Sequence, residues 1–533
     1  MENKTKRASL QDDRSAALLR HSEIRDGEFI RYYGKAEALD LPCGIVSIAE
    51  KAFAGNKSLR RVTVPDTVGV IREDAFRGCS ALEEVRLSEG LREIGEDAFR
   101  DCAALTGLVL PQTLNSLGNG ALRNCRSIRC LELPPSLTHI GAFAFCGCEA
   151  LEKMTLSESL EALRRGLFFR CRSLKELKIP ESVRRVSRYA FAGCTSLTEL
   201  SFSDDLTYIG SGAFHECASL RSFRIPPKIQ FIGDAVFSCC SALEEVEIPE
   251  SVTYIGIDAF CGCRSLREIT LPDAVEVIGQ GAFLRCDSLK AIVIPEKVNE
   301  LAKKAFAFCS SLERVELRAS LTEIEPETFH SCFALESISL PDSVELIGEK
   351  AFYRCISLAS VRIPRYLRTL DKHAFADCRA LTSVSLPVTL KQIEDYAFAD
   401  CVSLRTLLFP DHRTSVGNAV LTGCTSLEVL VLPHLHMGYR RRLEKWDTPK
   451  STQIILYSDL RLAFLFAELT DRKVSKERKQ ALRQEIESRL EKMRKRNHLK
   501  TIEPLRENLR RITQTMEAQD AMDAEMAQSV EGE

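Results

Sequence analysis

The sequence predicts an α/β repeat solenoid, a stack of similar coils in which each coil touches only its neighbours. Three observations predict it. A phenylalanine recurs every 23 residues from Phe53 to Phe398, and Leu122 and Leu421 fill the two in-phase slots that lack it, giving seventeen copies without insertion or deletion. A short alternating apolar run follows each aromatic in fixed phase. A cysteine stands three residues after the aromatic slot in sixteen copies, from Cys79 to Cys424, and only Asn56 breaks the series. A period in the twenties falls in the leucine-rich-repeat range.

Each segment of the repeat has its own reason. The run Leu-x-x-Val-x-Ile (Leu266, Ile269 and Leu271 in one copy) alternates at its end, which predicts a half-buried strand. Proline follows that strand in thirteen of the seventeen copies, from Pro65 to Pro433, and Ser88, Ser157, Ser203 and Arg318 replace it in the others. Proline lacks an N–H and cannot continue a ladder, so it ends the strand at a fixed point. Val-x-x-Ile-Gly comes next, as in Val252 to Gly256, with glycine in nine copies. Glycine there permits a positive φ or a tight bend, predicting a second short strand or a corner. Ala-Phe-x-x-Cys then predicts a single helical or 3₁₀ turn with Phe and Cys inward.

The ends differ from the array. Residues 1–40 are read as an N-terminal tail and cap, with Phe29, Ile30 and Tyr32 covering the exposed end of the first coil. The array itself runs over 41–433. Residues 434–533 are read as a C-terminal strand and helical cap. Thr452–Tyr457 predicts a closing strand and Asp459–Leu469 an apolar helix. Ser475–Asn497 predicts a second helix with Leu482, Ile486, Leu490 and Met493 on one stripe. A third is expected around Leu505–Met516, with Leu509 and Ile512 inward. The closing elements are expected to cover the last coil, where Leu408, Val429 and Val431 are apolar at solvent-side strand slots. From Glu517 the chain is acidic and Met-rich.

Over residues 41–433 the pattern resembles the BspA-type, or Treponema-type, class of leucine-rich repeats. Its marks are Ala-Phe-x-x-Cys-x-x-Leu, the Leu-Pro or Ile-Pro step and Ile-Gly. The resemblance implies a horseshoe with a parallel sheet on its concave side and single-turn helices elsewhere. It also implies a binding role, often at microbial surfaces, toward proteins or other cells.

Charges nearly cancel, 73 basic against 75 acidic, so no global field draws the chain to nucleic acid or acidic lipid. The 21 cysteines look at first like a disulfide framework. Stacked coils, however, put equivalent side chains roughly 4.8 Å apart and parallel, whereas a disulfide needs converging Cβ atoms at about 3.8 Å. The expectation is a reduced ladder of buried thiols. The first residues, Met1 to Arg7, show no secretory h-region, and the apolar run Leu462–Ala467 is too short to span a bilayer. A cytoplasmic location is expected, with non-classical export as the alternative.

No catalytic residue, cofactor or metal is predicted. Gly118/Gly120, Gly210/Gly212 and Gly279/Gly281 complete no phosphate-binding fingerprint and are read as bends of the repeat. Cys43, Cys130, Cys146, Cys239 and Cys261 lie outside the ladder. Cys239-Cys240 and Cys261-x-Cys263 fall on successive coils, and four thiolates bind zinc, but two of the four belong inward. They are read as structural thiols; the alternative is a metal or redox site, with exposed Cys239 and Cys261 as its oxidation pair. His434-x-His436 is read as a solvated loop. Lys492, Arg494, Lys495 and Arg496 are read as a solvated helix face, with a partner-helix surface as the alternative.

The remaining candidates are the two outward slots of each strand. They yield a partner-binding set of Glu199, Arg224, Glu245, Glu247, Glu268, Arg314, Glu316 and Arg362, acidic at Glu245, Glu247 and Glu268 and without aromatic anchors. The function expected is a non-catalytic scaffold that binds a protein partner through this face. An adhesin-like surface or secreted protein is the alternative.

Overall fold

The structure is a computed structural model that describes residues 21–409, 414–433, 443–457 and 476–495, with positions 506, 509, 510 and 514. The chain divides into two compact units, Met1–Pro272 and Asp273–Glu533.

Both units repeat one coil. A three- to four-residue strand such as Glu84–Arg86 is followed by a turn, a two-residue strand such as Glu93–Ile94, and a run of turns around the Phe slot. Within each unit the array strands that pair do so in parallel, each residue with its equivalent one repeat on, as Glu84 pairs with Gly107 and Ser116 with His139. In the first unit the two-residue strands continue outward from an antiparallel hairpin, Ser22–Arg25 with Glu28–Tyr32. That hairpin is the expected cap. Phe29 and Tyr32 are buried, Ile30 is half-buried, and the Phe29 ring stacks on Phe53 at 4.9 Å.

The Ala-Phe-x-x-Cys segment closes i→i+3 bonds, such as Asn56 N–H to Phe53 O and Cys79 N–H to Phe76 O. It has the bond spacing of a 3₁₀ turn but never becomes a continuous helix. Left-handed residues two before and two after the aromatic interrupt it: Lys51 (φ 57°) and Gly55 (φ 73°) in one coil, Lys350 (55°) and Arg354 (61°) in another. Most are not glycine, although the left-handed region costs an L-residue about 1–2 kcal/mol. The compensation is a third ladder. Lys51, Phe53 and Gly55 donate their N–H groups to Glu73, Ala75 and Arg77 of the next coil at 3.1, 2.7 and 2.7 Å. Lys350, Phe352 and Arg354 do the same toward Lys372, Ala374 and Ala376. Alternating handedness turns every second N–H outward, so a turn bonds to its neighbour as a strand does.

The Ile-Gly glycine is therefore not a positive-φ residue. A Cβ on Gly118 would lie 2.5 Å from Gly95 C and Glu96 N, and one on Gly141 would lie 2.3 Å from Asn119 N. Absence of a side chain lets one coil settle onto the backbone of the coil before it. Gly120 and Gly212, two residues later, are the left-handed positions. Gly118/Gly120 and Gly210/Gly212 thus each combine a close approach with a turn.

Inside the coils of each unit, neighbouring Phe rings stack nearly parallel at 4.7–5.8 Å, as Phe53 does on Phe76 and Phe375 on Phe398. Within each unit the ladder thiols donate to the carbonyl of the preceding coil's Phe slot, as Cys79 does to Phe53 O (3.1 Å) and Cys401 to Phe375 O (3.2 Å). Asn56 does this work at the capped end, where its Nδ2 donates to Gly34 O at 3.1 Å. Hydroxyls add another tie. Ser136, Ser182 and Ser343 donate to Leu114, Leu160 and Leu321 carbonyls of the coil before at 2.6–2.7 Å. All 21 cysteines are reduced.

At the C-terminal end, Gln453–Tyr457 pairs in parallel with Val429–Pro433, as the sequence predicts for a closing strand. Leu408 is buried, while the side chains of Val429 and Val431 lie outside the described set. Trp446 is buried against Phe409, and its carbonyl accepts from Leu421 N–H at 3.0 Å. The segment around Trp446 stands where a further turn of the array would. Lys476–Lys495 is helical, with Leu482, Ile486 and Leu490 buried, and Leu509 is buried too. The side chains of Met493 and Ile512, the predicted helix at Asp459–Leu469, the histidines His434 and His436, and the side chains of the 492–496 basic cluster all lie outside the described residues.

Two consequences can be measured. Gly118→Ala should destabilise the protein by about 1–3 kcal/mol. Gly233→Ala, whose nearest neighbour is 3.5 Å away, should be neutral or slightly stabilising; equal denaturation midpoints for the two variants would contradict the close-approach account. Burial also pushes ladder thiols such as Cys79, Cys148 and Cys355 up to about 12 from the ordinary 9.0. Above the ordinary value the unfolded chain loses thiol protons that the folded chain keeps, so this stability is fully present below it and is lost as pH rises toward the folded value. Urea midpoints should fall between about pH 7 and about pH 11, and less steeply when Cys171, Cys194 and Cys217 are all replaced by Ala.

Candidate functional site

The outward strand slots lie where the period places them. Glu199, Glu245, Glu247 and Glu268 are exposed in the first unit. Arg224 is exposed and held by Asp204 at 2.7 Å and Glu247 at 3.7 Å. In the second unit Arg314 is exposed, and Glu316 binds Arg318 at 2.7 Å. Arg362 is half-buried, with one guanidinium nitrogen at 3.0 and 3.1 Å from the two carboxylate oxygens of Asp342. Arg362 is thus engaged within the fold.

Two of these positions depart from the strand expected for them. Neither Glu199–Ser201 nor Glu268–Thr270 is a paired strand. Glu199 follows Glu176 in the same slot, and Glu268 follows Glu245, so each lapse sets like charges side by side. Like charges directly opposite destabilise a ladder. At the first lapse Phe202 and Phe223 also crowd the Phe214 ring, at 6.1 and 4.9 Å. Glu199, Glu245 and Glu268 form no ion pair among the described residues.

The four thiols of the Cys239–Cys263 pair of coils do not converge. Cys240 and Cys263 are buried and donate inward to Phe214 O and Phe237 O. Cys239 is exposed and Cys261 half-buried. Among the described residues no three His, Cys, Asp or Glu side chains gather at metal-binding distance, and no described helix is long and apolar enough to cross a membrane.

Three outward features lie outside the residues that the sequence singles out. Gly107 leaves an opening on the strand face beside Val109, which is 84% exposed, and the depression of about 700 Å³ is walled by Arg61, Glu84 and Arg86. On the two-residue strands, Tyr208, Phe231 and Tyr254 occupy one outward slot in successive coils, and Phe231 is 58% exposed. In the second unit Phe308, His330, Tyr353, His373 and Tyr396 form an aromatic series along the turns at 4.8–6.1 Å. Burial pushes the His330 imidazole below its ordinary value, and burial with Lys350 does the same to His373. The signal for the Tyr208, Phe231 and Tyr254 stripe was the same period, read at the two-residue strand and not at the longer one.

The coil, its two ladders of strands and its ladder of turns define a leucine-rich-repeat solenoid. The chain belongs to the BspA-type leucine-rich repeat family, which matches it in four overlapping segments, 22–142, 123–244, 230–359 and 345–437. Among solved structures it is similar to a leucine-rich repeat protein from Bacteroides ovatus, at 24% identity over 82% of this chain and 98% of that one, with a TM-score of 0.43. It is similar to the Treponema pallidum leucine-rich repeat protein at 37% identity over 33% of this chain and 87% of that one, TM-score 0.32. A leucine-rich cell surface protein from Faecalibacterium prausnitzii is 26% identical over 64% of this chain and 92% of that one, TM-score 0.41. No curated protein matches the chain.

Proposed function

We propose that the protein is a non-catalytic interaction scaffold that binds a protein partner through the outward strand face, the side expected to be concave. The observation that supports this most is the state of Glu199, Glu245 and Glu268. They are exposed carboxylates without an ion pair among the described residues, carried on a backbone bonded to neighbouring coils by strands and turns. Glu245 and Glu268 share one outward slot on successive coils where the strand pairing lapses, and a cationic surface laid across them offsets their like charge. A frame already ordered loses little conformational entropy on binding. The partner of this face therefore carries a basic patch opposite Glu245, Glu247 and Glu268.

The test is charge reversal. Glu245→Lys, Glu247→Lys and Glu268→Lys together should abolish capture of at least one protein that the wild-type chain retains from lysate at low salt, with the fold unchanged by circular dichroism. An identical set of captured proteins for the two chains would overturn the assignment of this face.

A further inference from the structure

The turns and two-residue strands of the first unit carry a group of arginines of the opposite charge. Between the coils of Leu122 and Phe214, arginines stand over aromatic rings. The Phe143 ring lies between Arg123 and Arg165, at 5.8 and 5.6 Å from its centroid. Arg170 lies over Phe169 at 5.2 Å, and Arg185 over Tyr208 at 4.5 Å. Arg188 occupies the slot of Arg165 one coil on, and the backbones of those coils are joined by Gly166 N–H to Arg188 O at 3.0 Å. Glycines make room for the rings: a Cβ on Gly166 would lie 2.2 Å from the Phe143 ring, and one on Gly212 would lie 2.4 Å from Tyr189.

These arginines are not neutralised. The carboxylates nearby are taken by other cations, Glu149 by Arg126 and Arg172, and Asp205 by Arg184 and Lys228. Arg123, Arg165, Arg170, Arg185 and Arg188 form no ion pair among the described residues, and Arg123 Nε is buried without a hydrogen-bond partner. A guanidinium stacked on a ring keeps its edge donors available and has already lost much of its rotamer freedom. Such a donor fork matches a carboxylate in two parallel hydrogen bonds.

The geometry points to this band as a docking surface for an acidic polypeptide segment of a partner protein, distinct from the basic partner of the strand face. Four coil spacings of about 4.8 Å span about 19 Å, the reach of about six extended residues. Alternate side chains of such a segment point the same way, so its carboxylates meet the arginines on one side. Tyr189 and Phe231, 40% and 58% exposed, offer apolar contacts at the end of the band. A single-stranded nucleic acid fits less well. Guanidinium groups cover Phe143, Phe169 and Tyr208, so few aromatic faces remain as a platform on which successive bases could stack.

Fluorescence anisotropy on the full chain tests this. The probe is a labelled peptide of about twelve residues alternating Glu and Leu, long enough to cross the band. Its comparators are the same peptide with Gln for Glu and a labelled oligothymidylate. The acidic peptide should bind, more weakly as salt rises, and the Gln peptide should not. Arg165→Gln with Arg188→Gln should weaken binding by about tenfold or more, as expected for two charged hydrogen-bonding partners. Arg61→Gln with Arg86→Gln, on the strand face, should leave it unchanged. No binding of the acidic peptide at low salt, equal loss in both double variants, or tighter binding of the oligothymidylate would each overturn the proposal.

Discussion

The fold depends on a hydrogen bond between turns. A coil this short has two brief strands, and two-residue strands alone pair weakly. The run around each Phe slot adds a third line of N–H donors, from Lys51, Phe53 and Gly55 to the coil that follows. This line exists only because left-handed and right-handed residues alternate through the turn. Backbone strain of about 1–2 kcal/mol at each left-handed non-glycine is thus offset by a bond between coils. The same line fixes the repeat length, since one added residue would reverse which N–H groups point outward.

The interior follows from that constraint. Coils held in strict register place ring over ring and thiol over carbonyl. A buried thiol is small, apolar enough for the core and still a weak donor, which suits a Phe carbonyl already accepting from the turn. Asn56 shows that the donor matters as much as the size. At the capped end the acceptor is Gly34 O, and an amide reaches it. Burial keeps the thiols protonated, so the ladder is structural and not reactive.

Period and slot composition made the coil legible: most strands, the inward Phe and Cys and the N-terminal cap at Phe29 and Tyr32 stand where spacing puts them, while Pro433 lies within the strand it was expected to follow. The role of the Ile-Gly glycine was not legible, because close approach and positive φ both select glycine. Only the backbone shows that Gly118 serves the first and Gly120 the second. The lapses at Glu199 and Glu268 were hidden for a similar reason. Slot patterns describe one coil, while like-charge repulsion arises between two. The arginine band was missed because its members occupy several slots, from Arg185 before the aromatic to Arg170 after it, and gather only when coils stack.

An acidic patch on the longer strands and an arginine band elsewhere on the first unit arise on one nearly neutral chain. The strand slots and the turn slots point to different sides, so each can accumulate its own chemistry without disturbing the shared core. All of this requires the turn ladder to hold. Amide hydrogen exchange measured at single-residue resolution tests it most directly. The N–H groups of Asp74, Phe76 and Gly78, which donate to Glu96, Ala98 and Arg100, should exchange as slowly as those of the paired strand Glu84–Arg86. Exchange at the rate of exposed loops at those three positions would contradict the account.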